Sequence, residues 1–269
     1  MRQQHAKLNL LQIAADLENL EETIIARLID RAQFRHNPCA YRPGGSGFDG
    51  EAERSLFAVR LQYQERMDAS FGRFCVPEER PFNRCLPPSK RRVNLPPTCL
   101  RISDYDQVNL TEAIMQSYLT LLPAICLTGD DGQYGSSVEH DVYAIQAIAR
   151  RIHYGALYVA ESKYLANPQD YQAAIDAQDT DRLMTMLTRP AVEEKILRRV
   201  AQKTATLQAS AGDNTRVSIH SATVRVYYAD YVIPLTKQGE ILYLQHRTCS
   251  DAPQNDDAQR LSTHNPPKD

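Results

Sequence analysis

Arg151 and Lys163 lie in the stretch RRIHYGALYVAESKY, residues 150–164, where two arginines, a histidine, a glutamate and a lysine are set among apolar residues. Glu193 follows downstream behind Arg189, and Thr236 stands four residues before Glu240. Side chains four apart share a helix face, so Thr236 and Glu240 can address one site. An arginine fork suits a carboxylate, which it binds bidentately. Each of these residues taken alone is ordinarily a solvated surface charge; only their surroundings raise them above that. The stretch has no glycine-rich phosphate loop, no metal-ligand spacing and no catalytic triad. Elsewhere, GGSGFDG at 44–50 lacks the lysine of a phosphate loop and reads as a flexible linker. The seven histidines form no HxxxH pair, and His153 reads as structural rather than metal-bound.

The elements that must hold these residues read as helices. Apolar residues recur three and four apart, while sustained alternation bounded by hairpin turns is missing. A first helix spans about 8–34, with Leu10, Ile13, Leu17, Leu20, Ile24 and Leu28 at helical spacing. A second spans about 51–71, and a third about 110–126, bent or ended near Pro123. The fourth, about 136–167, carries Arg151 and Lys163 and would be roughly 45 Å long at 1.5 Å per residue. Short helices follow near 171–177 and 180–187. Thr188 and Pro190 then open a helix to about 209, with Glu193 and Glu194 at the positive end of its dipole. After a turn at Gly212, Asp213 and Asn214, a last helical region spans about 218–246, kinked or divided at Pro234. Tyr227 and Tyr228 should pack in the bundle or a dimer. The expected fold is all-α, a large helical bundle over residues 1–248 with irregular loops in 36–100, followed by a polar, disordered tail at 249–269.

The chain has 269 residues, 42% hydrophobic and 24% charged, enough for a sizeable core. A formal net charge of −2 gives no electrostatic reason for a nucleic-acid partner, and SKRRV at 89–93 reads as a solvated loop. No apolar run approaches the length of a membrane-spanning helix, and the start MRQQHAK lacks the apolar core of a secretory signal. Four of the six cysteines, Cys39, Cys75, Cys85 and Cys99, fall in the loop-rich interval; Cys126 and Cys249 complete the set. No CxxC pair is present. This distribution is compatible with disulfides in an oxidising compartment or with free thiols in the cytosol, and the sequon at Asn109 fits the former. Secreted and cytoplasmic locations therefore both stand.

Four ordered segments carry a resemblance. LNLLQIAADLENLEETIIARLIDRAQF (8–34), IHYGALYVAESKY (152–164), AVEEKILRRV (191–200) and YVIPLTKQGEI (231–241) together resemble the eukaryotic type of all-helical chorismate mutase. The resemblance implies a cofactor-free and metal-free rearrangement of chorismate to prephenate in a helical homodimer. In such a reaction a dicarboxylate must be positioned while negative charge grows on the breaking ether oxygen. By resemblance, Arg151 would bind a substrate carboxylate, and Lys163 would donate to the ether oxygen and contact a carboxylate. Glu240, protonated, would face that oxygen from the other side. Glu193 would bind the ring hydroxyl, and Thr236 would assist carboxylate binding.

The chain departs from the family in several places. Ala14 stands where the family has an arginine on the first helix. Arg151 and Lys163 are twelve residues apart instead of eleven, which on a regular helix leaves them roughly 120° apart, against about 20° for eleven. A π-bulge within 155–158 would absorb the extra residue. Arg189 stands where some relatives carry a substrate-touching asparagine, and could replace the lost charge. Regulated relatives bind tyrosine or tryptophan at the dimer interface through a Gly-Ser segment; Gly135 and Ser136 match it, but Glu139 replaces a threonine. Two functions are compatible with this pattern: an active mutase, or a catalytically inactive relative that binds a protein partner, such as a secreted effector.

Overall fold

The structure, a computed structural model, describes residues 8–209 and 217–248. The expected turn at Gly212–Asn214, Cys249 and the polar tail lie outside the described residues. Ten α-helices, three short 3-10 helices and two π turns make up the regular structure there, and the only β pairing is an isolated antiparallel bridge between Ile102 and Arg247. No helix among the described residues is long and apolar enough to cross a membrane.

Helix α1 (Leu10–Ala32) begins where the Asn9 side chain accepts hydrogen bonds from the backbone N–H of Leu11 (3.0 Å) and Gln12 (3.4 Å), satisfying donors that a helix start leaves free. Helix α2 (Leu56–Ser70) is shorter than its expected span, because Ser55 caps it through the N–H of Ala58 and residues 51–54 form a turn. Helix α3 (Thr111–Ile125) carries Pro123 in its last turn and ends at Cys126, where the backbone becomes extended.

The organising element is one uninterrupted helical rod. Helix α4 (Tyr134–Tyr154) passes into a π turn (Gly155–Val159) and then into α5 (Ala160–Ala166). Along α4, Val138, Val142, Ile145, Ile148 and Ile152 are buried at three- and four-residue steps, which makes this helix the spine against which α1, α2 and α3 pack. Helices α6 (Pro168–Asp176) and α7 (Thr180–Leu187) turn back over α5, and α8 (Pro190–Ala209) returns along α1. The last rod, α9 (Ser221–Tyr227), a second π turn (Tyr228–Val232) and α10 (Ile233–Gln245), is continuous through Pro234. A proline is tolerated there because it sits in the first turn of α10, where the π turn hands over.

Two apolar clusters fill the interior, a large one around α1, α3, α4 and α9 and a smaller one beneath α5, α6, α7 and α10, with Leu242 packed against both. Tyr227 and Tyr228 are buried in the larger, and Tyr227 shares a hydrogen bond with Ser117 (3.0 Å). Several charged groups inside are paired. The Arg31 guanidinium donates to Asp141 (2.6 Å), and Tyr41 (2.6 Å) and Tyr118 (2.7 Å) donate to the same carboxylate, pinning α1, the chain after it and α3 onto α4. The loop-rich interval is ordered by similar means: buried Glu65 accepts from the N–H of Phe82 (2.7 Å) and Asn83 (2.8 Å). Residues 44–50, expected as a flexible linker, form tight turns with Gly44, Gly47 and Gly50 at positive φ.

The disulfide alternative is not realised among the described residues, where Cys39, Cys75, Cys85, Cys99 and Cys126 are all free thiols. Burial pushes the Cys126 thiol up to about 11, as expected of an inert structural cysteine. Asn109 of the sequon has its side chain engaged, accepting from the N–H of Thr111 (2.9 Å) and donating to Pro81 (3.2 Å).

Candidate active site

Arg151 sits in the last turn of α4 and Lys163 in α5, separated by the π turn over Gly155–Val159. A π turn takes one residue more per turn than the α-helix, so the twelve steps between the two cations act as eleven and both face the same way. Both line one cavity of about 300 Å³ bordered by α1, α4, α5, α8 and α10, and so do Arg189, Glu193, Thr236 and Glu240. All six residues singled out in the sequence thus meet in one place.

The local sequence makes the approach possible. Gly155 opens the π turn, and a Cβ there would lie 2.7 Å from Thr236 Cγ2 and 3.2 Å from an Arg151 nitrogen, so only glycine lets α10 come this close to α4. Gly239 does the same from the other helix, where a Cβ would fall 2.6 Å from that of Ala156. Thr236 hydroxyl donates to the Val232 carbonyl (2.7 Å), a group at the edge of the second π turn.

Arg151 is almost fully buried, with one nitrogen 3.7 Å from the Glu21 carboxylate and its Nε without a hydrogen-bond partner. Glu21, itself buried, accepts two bonds of 2.8 Å from Arg199. The inner arginine is therefore held loosely by a carboxylate already committed elsewhere, with donor capacity left for a ligand. Lys163 donates to Glu240 (2.8 Å) and to the Leu187 carbonyl (2.9 Å). Burial pushes the Glu240 carboxyl above its ordinary range, against the opposing pull of Lys163, Arg151 and Lys237.

On the other flank, Glu193 receives Lys237 Nζ at 3.2 Å, and its carboxylate reaches back to the Arg189 backbone N–H at 3.4 Å, tying down the start of α8. Ala14 forms part of the cavity wall, and α1 otherwise contributes Leu10, Ile13 and Leu17 there. Four cations, Arg151, Lys163, Arg189 and Lys237, thus face two carboxylates, an excess that complements a dianion. No group of three or more His, Cys, Asp or Glu among the described residues could hold a metal ion. His153 lies in the core, where its Nε2 accepts from the Leu110 N–H (3.0 Å) and burial pulls it down to about 3, keeping the ring neutral.

Two cavity features escape the sequence pattern. Lys237 is one position from Thr236 and so about 100° around the helix, yet its long stem brings the ammonium back to the cavity rim. Glu21 is seven residues from Ala14, a step that returns to nearly the same face of α1, and that spacing was a usable signal.

No protein-family model matches the chain. The chain is 38% identical over 241 residues to the chloroplastic chorismate mutase 1 of Petunia hybrida, covering 84% of this chain and 72% of that protein. It is 36% identical over 252 residues to the chorismate mutase of Schizosaccharomyces pombe, covering 90% of this chain and 97% of that one. The crystal structure of a Candida albicans chorismate mutase in complex with L-Trp matches with a TM-score of 0.81 at 30% identity, over 89% of this chain and 92% of that one.

Proposed function

Because the chain belongs to the eukaryotic, all-helical family of chorismate mutases, we propose that it converts chorismate to prephenate in the cavity between α1, α4, α5, α8 and α10. The observation that carries this reading is the convergence of four cations and a buried, proton-favouring carboxyl on a single 300 Å³ space. The reaction is an intramolecular rearrangement: one C–O bond breaks, one C–C bond forms, and nothing is transferred to or from the protein. Residues need only hold the substrate in a reactive shape and stabilise charge as it shifts.

Arg151, with a free Nε and a distant Glu21, takes one carboxylate bidentately, assisted by the Thr236 hydroxyl once it turns from the Val232 carbonyl. Lys163 swings its ammonium from Glu240 to the ether oxygen and the neighbouring carboxylate. Released from that ion pair and faced with a dianion, Glu240 takes up a proton and donates it as a hydrogen bond to the same oxygen from the opposite side. Glu193, held by Lys237, accepts from the ring hydroxyl. Arg189 adds a second cation where α1 offers only Ala14.

The test is the loss of chorismate absorbance with purified protein at pH 5 and pH 7.5, beside an Arg151→Ala variant. Turnover that vanishes in the variant is the expected result, and a wild-type rate equal to the spontaneous one would overturn the reading. The second reading, an inactive relative that binds a protein partner, is favoured by one observation: the α1 wall of the cavity is uncharged at Ala14. The homodimer belongs to the same proposal and is supported by Tyr63, Met67 and Phe71, exposed four apart along α2 and at its C-terminal cap. Amino-acid regulation is opposed by Glu139, which lies 3.6 Å from Arg60 and accepts from Tyr143 (3.1 Å).

A further inference from the structure

We propose that the substrate dianion reaches the active-site cavity through a second chamber beside it, and that Arg189 is the residue that captures it there. The proposal rests on the chorismate reading of the inner cavity. The second chamber, of about 470 Å³, has Asn167, Tyr171 and Met186 in its wall and shares Lys163 and Arg189 with the first. An anion crossing from one to the other therefore never leaves the reach of a cation.

Three cations along this path differ in depth. Arg189 is exposed at the start of α8, the Lys163 side chain is 19% exposed, and that of Arg151 is 4% exposed. They differ also in what already satisfies them. Arg151 has Glu21 and Lys163 has Glu240, whereas the Arg189 guanidinium has no carboxylate within 4.0 Å and no hydrogen bond among the described residues; only its backbone N–H is engaged, by Glu193. A free, solvent-facing cation raises the local concentration of an anion, while inner cations that must exchange a partner act later. The opposite rim of the cavity offers no such field, because Lys237 is neutralised by Glu193 at 3.2 Å. The approach is thus polarised towards the second chamber, with Arg189 at the common wall and Arg151 at the end of the path.

Ala166 lines the second chamber but not the first, and it is exposed near the end of α5. Ala166→Trp narrows the chamber without touching the inner cavity. We expect kcat/KM for chorismate to fall about tenfold or more while kcat changes less than about twofold. Arg189→Ala should lower kcat/KM and flatten its dependence on ionic strength, and Arg189→Lys should restore that dependence. Circular dichroism and melting of each variant check that the fold is kept. An unchanged kcat/KM in Ala166→Trp and Arg189→Ala overturns the proposal, and so does an equal fall in kcat in Ala166→Trp, which would place the second chamber's effect in the chemical step rather than in entry. Wild-type protein without turnover fails the chorismate reading itself. Capture is then read by calorimetric titration with chorismate, where equal affinity of wild type and Arg189→Ala overturns it and a weaker variant supports it.

Discussion

In the proposed reaction Glu240 is the residue on which the chemistry turns most sharply, because there it must donate a proton that a carboxyl in water would have lost. Its acid form is favoured by burial and opposed by Lys163, and the direction of the balance is upward. Activity should therefore be highest below the Glu240 pKa and fall as pH rises through it, since deprotonation replaces a donor at the ether oxygen with a negative charge. Glu240→Gln keeps a donor at every pH, so its kcat/KM profile should be flat between pH 5 and 8 where the wild type declines. A flat wild-type profile would sink the role assigned to Glu240. At the same scale, the neutral His153 ring contributes no charge in this range, so a decline with pH does not come from it.

At the scale of elements, the π turn at Gly155–Val159 decides whether the two halves of the central rod agree. Upstream of it the buried face of α4 is set by the core; downstream, Lys163 must face the cavity. Deleting Tyr158 from the turn should let the rod close up as a regular helix, with Arg151 and Lys163 eleven apart and still aligned. We expect that variant to fold and to keep kcat/KM within about tenfold of the parent, a loss of no more than about 1.4 kcal/mol in the transition state. Deleting Ala147, in the regular part of α4, instead rotates the first half of the rod by about 100° against α1 and α2. That variant should lose its cooperative melting transition, and equal stability of the two deletions would show that the turn is not the place where the extra residue is absorbed.

For the whole molecule, the Arg31–Asp141 pair joins the segments that the active site does not touch. Both side chains are fully buried, and Asp141 accepts from Arg31, Tyr41 and Tyr118 at once. Asp141→Ala leaves a guanidinium buried without its counter-charge, and a loss of about 3–5 kcal/mol is expected from denaturant unfolding. Because the cavity is built from α5, α8 and the other ends of α1, α4 and α10, kcat measured well below the lowered melting temperature should stay near the wild-type value. A comparable fall in kcat under those conditions would mean that the strut also sets the geometry of the site.

The helices, and the set of residues that come to line the cavity, were legible in the sequence because both rest on local information. Period-3.6 burial, Pro190 at a helix start and the four-residue step from Thr236 to Glu240 are each readable within one turn or two. Even the twelve-residue interval between Arg151 and Lys163 announced its own remedy, since a regular helix would misdirect one of them. Three things depended on packing at a distance. Lys237 reaches the cavity through its stem rather than its helix face, and Glu21 acquires its meaning from Arg199 and Arg151, residues more than a hundred positions away. The cysteines, grouped in sequence, are unpaired where described, because a disulfide is set by the separation of two chain segments in space and not by composition. Residue types and periods determined which chemical groups the chain offers; only the tertiary structure decided which charges meet, since burial and ion pairing arise between helices and not within them.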